Sequence, residues 1–434
     1  MILINPFIPH HPSAAGNFVG RRSELRRLEA SLLHAIQEKP INFMLTGERG
    51  VGKTSLLNYV QSMARRIDSS ESQAFNFLVV QVQIDRSTTL LDLVRKIEGA
   101  LRKELDRNEP ARKFLVQSWG FLRRLEVAGI SIREETEKPS LMWEDFADTL
   151  LQTVRRVCRP DHPETGFVGI NFDGLLLLMD EVDTANSELQ LGAFLKCLTE
   201  YLQRGGCNRL IIGLSGLPQM VDVILRSHPS ALRVFEDLRL SRLPRNEVRE
   251  LVDTFLLTAQ QDNRRLFEMD QSAFDLVMEL SEGHPHFVQQ ICYCGFNAMM
   301  NRGFDSSMHV RGETRAGGFV VTREDVAMGA FSPRGAIDVI GDIYYRHAVD
   351  ALTSSELHVL SRMSYCPGQS FAAEQLAEEA DISMDSAQKI MLALASRGLV
   401  SKSAGRPETI SAHQCLSHWL QSIGLGNQIT IEAE

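Results

Sequence analysis

No run in this 434-residue sequence approaches the roughly 18 consecutive apolar residues of a membrane-spanning helix, so no helical span is predicted. The start, Met1-Ile2-Leu3-Ile4-Asn5-Pro6, also lacks the positive charge that opens a signal peptide. A cytoplasmic location without a membrane partner is the expectation. Nor is there a Cys-x-x-Cys pair. The seven cysteines are odd in number, and Cys292 and Cys294, two apart in a predicted helix, point to different faces. Reduced structural thiols are therefore expected rather than a metal or disulfide framework. Net positive charge is missing too: at −9 the chain has no global basic field, so any contact with nucleic acid must come from a local patch. Neither a long repeat array nor a nuclease or protease motif is visible. What remains is an ordinary globular composition, 44% apolar and 23% charged, with chain enough for two to four domains.

The most informative stretch is Gly47-Glu48-Arg49-Gly50-Val51-Gly52-Lys53-Thr54. It follows the apolar run Ile41–Leu45 and precedes Ser55-Leu56-Leu57, which reads as strand, glycine-rich loop, helix. Such a loop turns its backbone N–H groups inward around phosphates, and the positive end of the following helix faces the same charge. Lys53 is expected to reach the β- and γ-phosphates of ATP, and the Thr54 hydroxyl to hold Mg²⁺. The run Leu175-Leu176-Leu177-Leu178-Met179-Asp180-Glu181 reads as a strand buried on both faces of a parallel sheet and ending in two carboxylates. Asp180 is expected to face Mg²⁺ through water, and Glu181 to act as general base on the attacking water. More than a hundred residues separate the two motifs, which predicts additional structure between them.

Ahead of the loop lies Phe18-Val19-Gly20-Arg21-Arg22-Ser23-Glu24-Leu25, opening an amphipathic helix through Leu28, Leu32, Leu33 and Ile36. Together with the P-loop that follows, this box resembles the FVGR-x-x-E-L box of initiator and signal-transduction ATPases of the AAA+ and STAND groups. The resemblance extends to origin-recognition and Cdc6-like initiators and to TnsC-like transposition regulators. It implies an ATPase with ATP and Mg²⁺ as cofactors, and it places Phe18, Val19, Gly20 and Arg21 at the nucleotide beside residues 47–55.

Further motifs follow in the family's order. Strands are predicted over 76–84 and 209–215. Between the second strand and the acidic strand, residues 106–139 carry Arg107, Arg112, Lys113, Arg123 and Arg124 before an alternating stretch at 125–132. The resemblance implies a DNA-touching insertion there, and a solvated helix and hairpin is the alternative. At the tip of the 209–215 strand, Ser215 occupies the sensor-1 position of this class, or is a turn residue before Gly216. Arg233, with Arg226 second, takes the place of an arginine finger reaching a neighbouring subunit, against the reading of a surface ion-pair partner. Glu282-Gly283-His284-Pro285-His286 breaks two helices, and the resemblance sets Pro285 of this Gly-x-Pro against adenine.

The fold class expected is α/β, a P-loop NTPase parallel sheet with a helical lid and a C-terminal winged helix-turn-helix domain. Its divisions are an extended segment at 1–17, an ATPase core at 18–245, a lid at 246–335 and the winged helix at 336–425. Helices at 354–363, 372–380 and 384–397, then a hairpin through Gly405-Arg406-Pro407, support the last. The recognition helix carries only Lys389 and Arg397, with Lys402 and Arg406 in the wing, so DNA binding and protein docking both stay open. The expected function is an ATP-dependent, oligomerising, DNA-associated regulator. The alternative is a STAND-like nucleotide switch in signalling or anti-phage defence, engaging a separate effector protein.

Overall fold

The computed structural model describes residues 3–11, 18–65, 75–106, 108–120, 139–158, 167, 170–305, 318–403 and 406–424. These fall into two compact units, Pro12–Ser241 and Met1–His11 with Arg242–Glu434.

The first unit is built on a five-stranded parallel sheet of β1 (Asn42–Gly47), β2 (Phe77–Gln83), β3 (Gly174–Asp180), β4 (Leu210–Gly216) and β5 (Phe235–Leu240), in the order β2-β3-β4-β1-β5. The unbroken apolar run of β3 is explained by burial on both sides. Leu176 and Leu178 pack with α1 (Arg22–Ile36) and α2 (Lys53–Ala64), through Leu28, Leu32, Leu56 and Val60. Leu175, Leu177 and Met179 pack on the opposite face with α3 (Leu90–Leu105) and the helices Pro139–Val157 and Leu191–Arg204. In such a sheet the ligand site lies beyond the carboxyl ends of the strands, near the place where the strand order reverses. β1 is that place, paired with β4 on one side and β5 on the other, and its carboxyl end runs straight into the glycine loop. In the 106–139 region, α4 (Glu109–Ser118) is N-capped by Asn108, while the stretch at 125–132 lies outside the described residues.

The second unit begins with the helix Arg245–Asn263 and continues through Gln271–Ser281 and Pro285–Asp305. Two three-residue strands not foreseen from sequence, β6 (Phe267–Met269) and β7 (Phe319–Val321), pair in parallel. Thr322 caps the helix that follows: its hydroxyl accepts from Asp325 N–H while the Asp325 carboxylate accepts from Thr322 N–H. The C-terminal part has helices Ser354–Ser364, Ala373–Glu379 and Met384–Ser396, then an antiparallel hairpin of β8 (Val400–Ser403) and β9 (Arg406–Ala412). Phe371 and Ile410 exchange backbone hydrogen bonds of 2.8 and 3.0 Å, tying the segment between the first two helices to the hairpin. Three helices and a wing in this order form a winged helix-turn-helix.

Residues 3–11 are extended, as the Pro- and His-rich sequence suggests, but they are not a separate arm. Phe7 is 1% exposed and its ring lies 5.4 Å from Phe255 and 6.3 Å from Phe296. Asn263 closes the strap with two hydrogen bonds, accepting from Ile4 N–H at 2.7 Å and donating to Ile4 O at 3.0 Å. Asn5 donates to Tyr293 O and to Asn297 Oδ1. Local sequence shows nothing of this, because every partner lies more than 240 residues away.

Candidate nucleotide site

The glycine loop owes its shape to positive φ. Gly50 and Gly52 stand at 76° and 100°, where a side chain is strained. Gly47 is required for a different reason: a Cβ there would sit 2.8 Å from Leu240 O and 2.8 Å from Val51 Cγ1. Val51 turns inward to the core shared by α1 and α2, while Glu48 and Arg49 are exposed on the loop. The loop curls over the Lys53 ammonium, which donates to Gly47 O and Glu48 O at 2.8 Å each. Lys53 opens α2, with Thr54 and Ser55 in the same first turn, where helix N–H groups lack acceptors from the preceding turn. Burial pushes the Lys53 pKa down, and the charges of Asp183, Asp180, Glu48 and Glu181 oppose that shift. An ammonium under that desolvation is set to gain from an anionic partner.

The predicted metal pair is brought together. Thr54 Oγ1 donates to Asp180 Oδ2 at 3.2 Å, so a hydroxyl and a carboxylate from two distant motifs meet at the rim of the loop. Hard oxygen donors of this kind fit Mg²⁺. Asp180 is nearly buried, and its Oδ1 accepts from Glu181 N–H at 2.9 Å. Glu181 itself turns the chain at φ 56°, an unusual value for a side chain with a Cβ, and points into solvent. Its Oε2 accepts from Gln83 Nε2 at 2.7 Å. Gln83, the last residue of β2, is a functional neighbour that sequence reasoning missed; its signal is its position at a strand end directly beside Asp180.

Ser215 is 0% exposed, one residue from the carboxyl end of β4 and beside Leu45 of β1. Its Oγ has no hydrogen-bond partner among the described residues. Since side chains alternate along a strand, Ser215 shares the face of Ile211, which is also the α2 face of Leu178 and Asp180. An orphaned hydroxyl near the end of the sheet that carries Asp180 fits a site that gains a polar partner on binding.

The box at 18–21 is tied to the loop. Phe18 packs on Tyr59 of α2, with ring centroids 5.2 Å apart. Val19 is half-buried, Gly20 turns the chain at φ 78°, and Arg21 follows at φ 58°. The buried Arg21 guanidinium donates to Val51 O at 3.2 Å and to Ser241 O. It thus braces the loop from behind.

Within the first unit, two further candidates stand at the other end of the sheet. Arg233 and Arg226 are exposed and form no ion pair among the described residues. Arg233 sits just before Phe235, which pairs with Asn42 at the amino end of β1, so a strand length of roughly 17 Å separates it from the level of Gly47. Pro285 belongs to the second unit and opens the helix Pro285–Asp305. The turn before it is fixed by Leu243 N–H donating to Gly283 O at 2.8 Å, and a Cβ on Gly283 would meet Leu243 O at 2.2 Å. On the recognition helix Lys389 pairs with Asp385 at 2.6 Å, and Arg397 pairs with Glu356 at 3.0 Å. The side chains of Lys402 and Arg406, like Arg107, Arg123 and Arg124, lie outside the described residues.

Among the described residues no cluster of His, Cys, Asp and Glu has the makings of a separate metal site, and no helix is long and apolar enough to cross a membrane. Residues 17–212 match the AAA ATPase domain family. The chain is 26% identical over 165 residues to the ORC1-type DNA replication protein 2 of Haloarcula marismortui, a match covering 36% of this chain and 38% of that relative's length. It also resembles the structure of the Aeropyrum pernix ORC2 protein in ADPNP–ADP complexes, with a TM-score of 0.57 at 13% identity over 99% of this chain and 98% of that one.

Proposed function

We propose that this chain is an Orc/Cdc6-like AAA+ ATPase that binds Mg²⁺-ATP at the carboxyl end of β1 and hydrolyses it to drive assembly on DNA, a reading supported by the AAA ATPase domain match over residues 17–212. The observation that carries this is the meeting of Thr54 Oγ1 and Asp180 Oδ2 at 3.2 Å beside the looped-over Lys53. Lys53 exchanges its two loop carbonyls for the β- and γ-phosphates, which supply the negative charge that a desolvated ammonium lacks. Thr54 and Asp180 are the residues that would hold Mg²⁺, and the ion when bound neutralises charge on the phosphates. Glu181 takes the proton of the attacking water, with Gln83 holding Oε2 and Oε1 left to accept it. Ser215 holds that water or the γ-phosphate with its unpartnered hydroxyl. Arg233, a strand length from its own site, acts on the site of a second copy.

A replication-associated role is supported by the similarity to the ORC1-type protein and by the winged helix. A second reading, a nucleotide switch that engages an effector protein, is favoured by the recognition helix. There Lys389 and Arg397 already spend their charge on Asp385 and Glu356. Light scattering on Glu181→Gln protein with ATP, with and without duplex DNA, separates the two. Assembly only with DNA supports the first; assembly that ignores DNA supports the second.

A further inference from the structure

The segment leaving the acidic strand is stitched to its neighbours on both sides. Toward β2, Gln83 holds Glu181, the Thr184 hydroxyl donates to Ile84 O at 2.8 Å, and Asn186 donates to Arg86 O at 2.8 Å. Toward β4 the described side-chain link is one residue. Asp183 Oδ1 accepts from Leu217 N–H at 2.8 Å, two residues past Ser215. The approach is so close that a Cβ on Gly216 would stand 2.7 Å from Asp183 Oδ1 and 3.1 Å from Asp183 N. Gly216 is thus needed for contact between the two strand exits.

We propose that Asp183 is a positioning residue for the hydrolytic step: its carboxylate pins the Gly216–Leu217 exit of β4 and so holds the buried Ser215 hydroxyl at the height of Asp180. The proposal rests on the ATPase reading above. Without the pin, β4 keeps its ladder to Leu45 and Thr46 of β1 but loses its link to the exit of β3, and displacements of about 1 Å in a positioned group are enough for a hundredfold loss of rate. Binding is affected less, because among the described residues the loop, Lys53 and Thr54 make no hydrogen bond to Asp183. Its charge is the largest of the four that act on Lys53, but those of Asp180, Glu48 and Glu181 stay when it is gone. The hydrogen bond, rather than the charge, is what positions.

The test compares Asp183→Ala, Asp183→Asn and Gly216→Ala in the full chain, measuring phosphate release at saturating ATP and nucleotide affinity by titration. Asparagine keeps an oxygen that accepts from Leu217 N–H. The expected result is a kcat lowered about tenfold to a hundredfold in Asp183→Ala and Gly216→Ala, with nucleotide affinity within about threefold of the parent, and kcat largely restored in Asp183→Asn. An Asp183→Asn protein as slow as Asp183→Ala overturns the proposal by making charge the agent. Unchanged kcat in Asp183→Ala, or an affinity loss matching the rate loss, overturns it as well. Absence of turnover in the parent protein contradicts the ATPase reading instead, so the two failures are distinguishable.

Discussion

Ser215→Ala should make the nucleotide-free protein more stable and the enzyme slower. The Ser215 hydroxyl is fully buried and has no partner among the described residues, and a buried hydroxyl left without a hydrogen bond is destabilising by about 1–3 kcal/mol. Alanine removes that oxygen and leaves a gap smaller than a methyl group among Leu45, Leu178 and Ile211, so little of the gain is returned as cavity. The net expectation is about 1 kcal/mol of added stability. For a unit the size of Pro12–Ser241 this raises the midpoint of thermal unfolding by about 2–4 °C. With ATP and Mg²⁺ present the order narrows or reverses, because only serine acquires a partner. Turnover falls about tenfold or more if the hydroxyl orients the reacting water. Calorimetric scans with and without nucleotide, paired with a phosphate-release assay, read both halves. A Ser215→Ala protein that is less stable than the parent without nucleotide, or that hydrolyses ATP at the parent rate, refutes the reasoning.

Lys53→Ala removes the ammonium proposed to meet the phosphates, and calorimetric titration should find tight ATP binding lost; full retention would remove the loop from the site. Phe7→Ala vacates the space between Phe255 and Phe296, a change of about 3–5 kcal/mol in a well-packed core. Because the strap is held by the Phe7 ring and a few hydrogen bonds, the effect should appear as local undocking, with hydrogen-exchange protection lost at Ile4 N–H, and persistent protection there would contradict it. Glu282 is drawn up by burial but held lower overall by His413 and Arg242, so its folded pKa lies below the unfolded value of 4.5. Its contribution is therefore present above about pH 4.5 and lost as the pH falls through the folded pKa, and Glu282→Gln should flatten that part of the acid-unfolding curve. An unchanged curve would mean that the network is not coupled to folding. Mixing Arg233→Ala with Lys53→Ala protein should restore part of the turnover if the arginine acts on a second copy, whereas no recovery at any ratio places it elsewhere.

The loop, the acidic strand and the winged helix were legible because each is written in adjacent residues with a strong local meaning. Eight consecutive positions define 47–54, four leucines define β3, and the three C-terminal helices begin and end within about a residue of their expected positions. What escaped is tertiary. Gln83 and Asp183 are ordinary polar residues in the sequence, and only the alignment of β2, β3 and β4 gives them partners. The strap at 3–11 reads as loop because its few apolar residues follow no helical or strand period, and the hydrogen bonds of Ile4 and the Asn5 amide that dock it go to Asn263, Tyr293 and Asn297 in distant helices. Within the second unit Arg242, Glu282 and His413 join three separate stretches, a network that no local pattern shows.

The most direct test of the central claim is phosphate release at saturating Mg²⁺-ATP by the parent chain and by Glu181→Gln, with nucleotide binding measured on both. The account predicts steady release by the parent and, in Glu181→Gln, retained binding with release reduced about a hundredfold or more. Equal release by the two proteins would place the base elsewhere and dissolve the site assembled from Lys53, Thr54, Asp180 and Glu181.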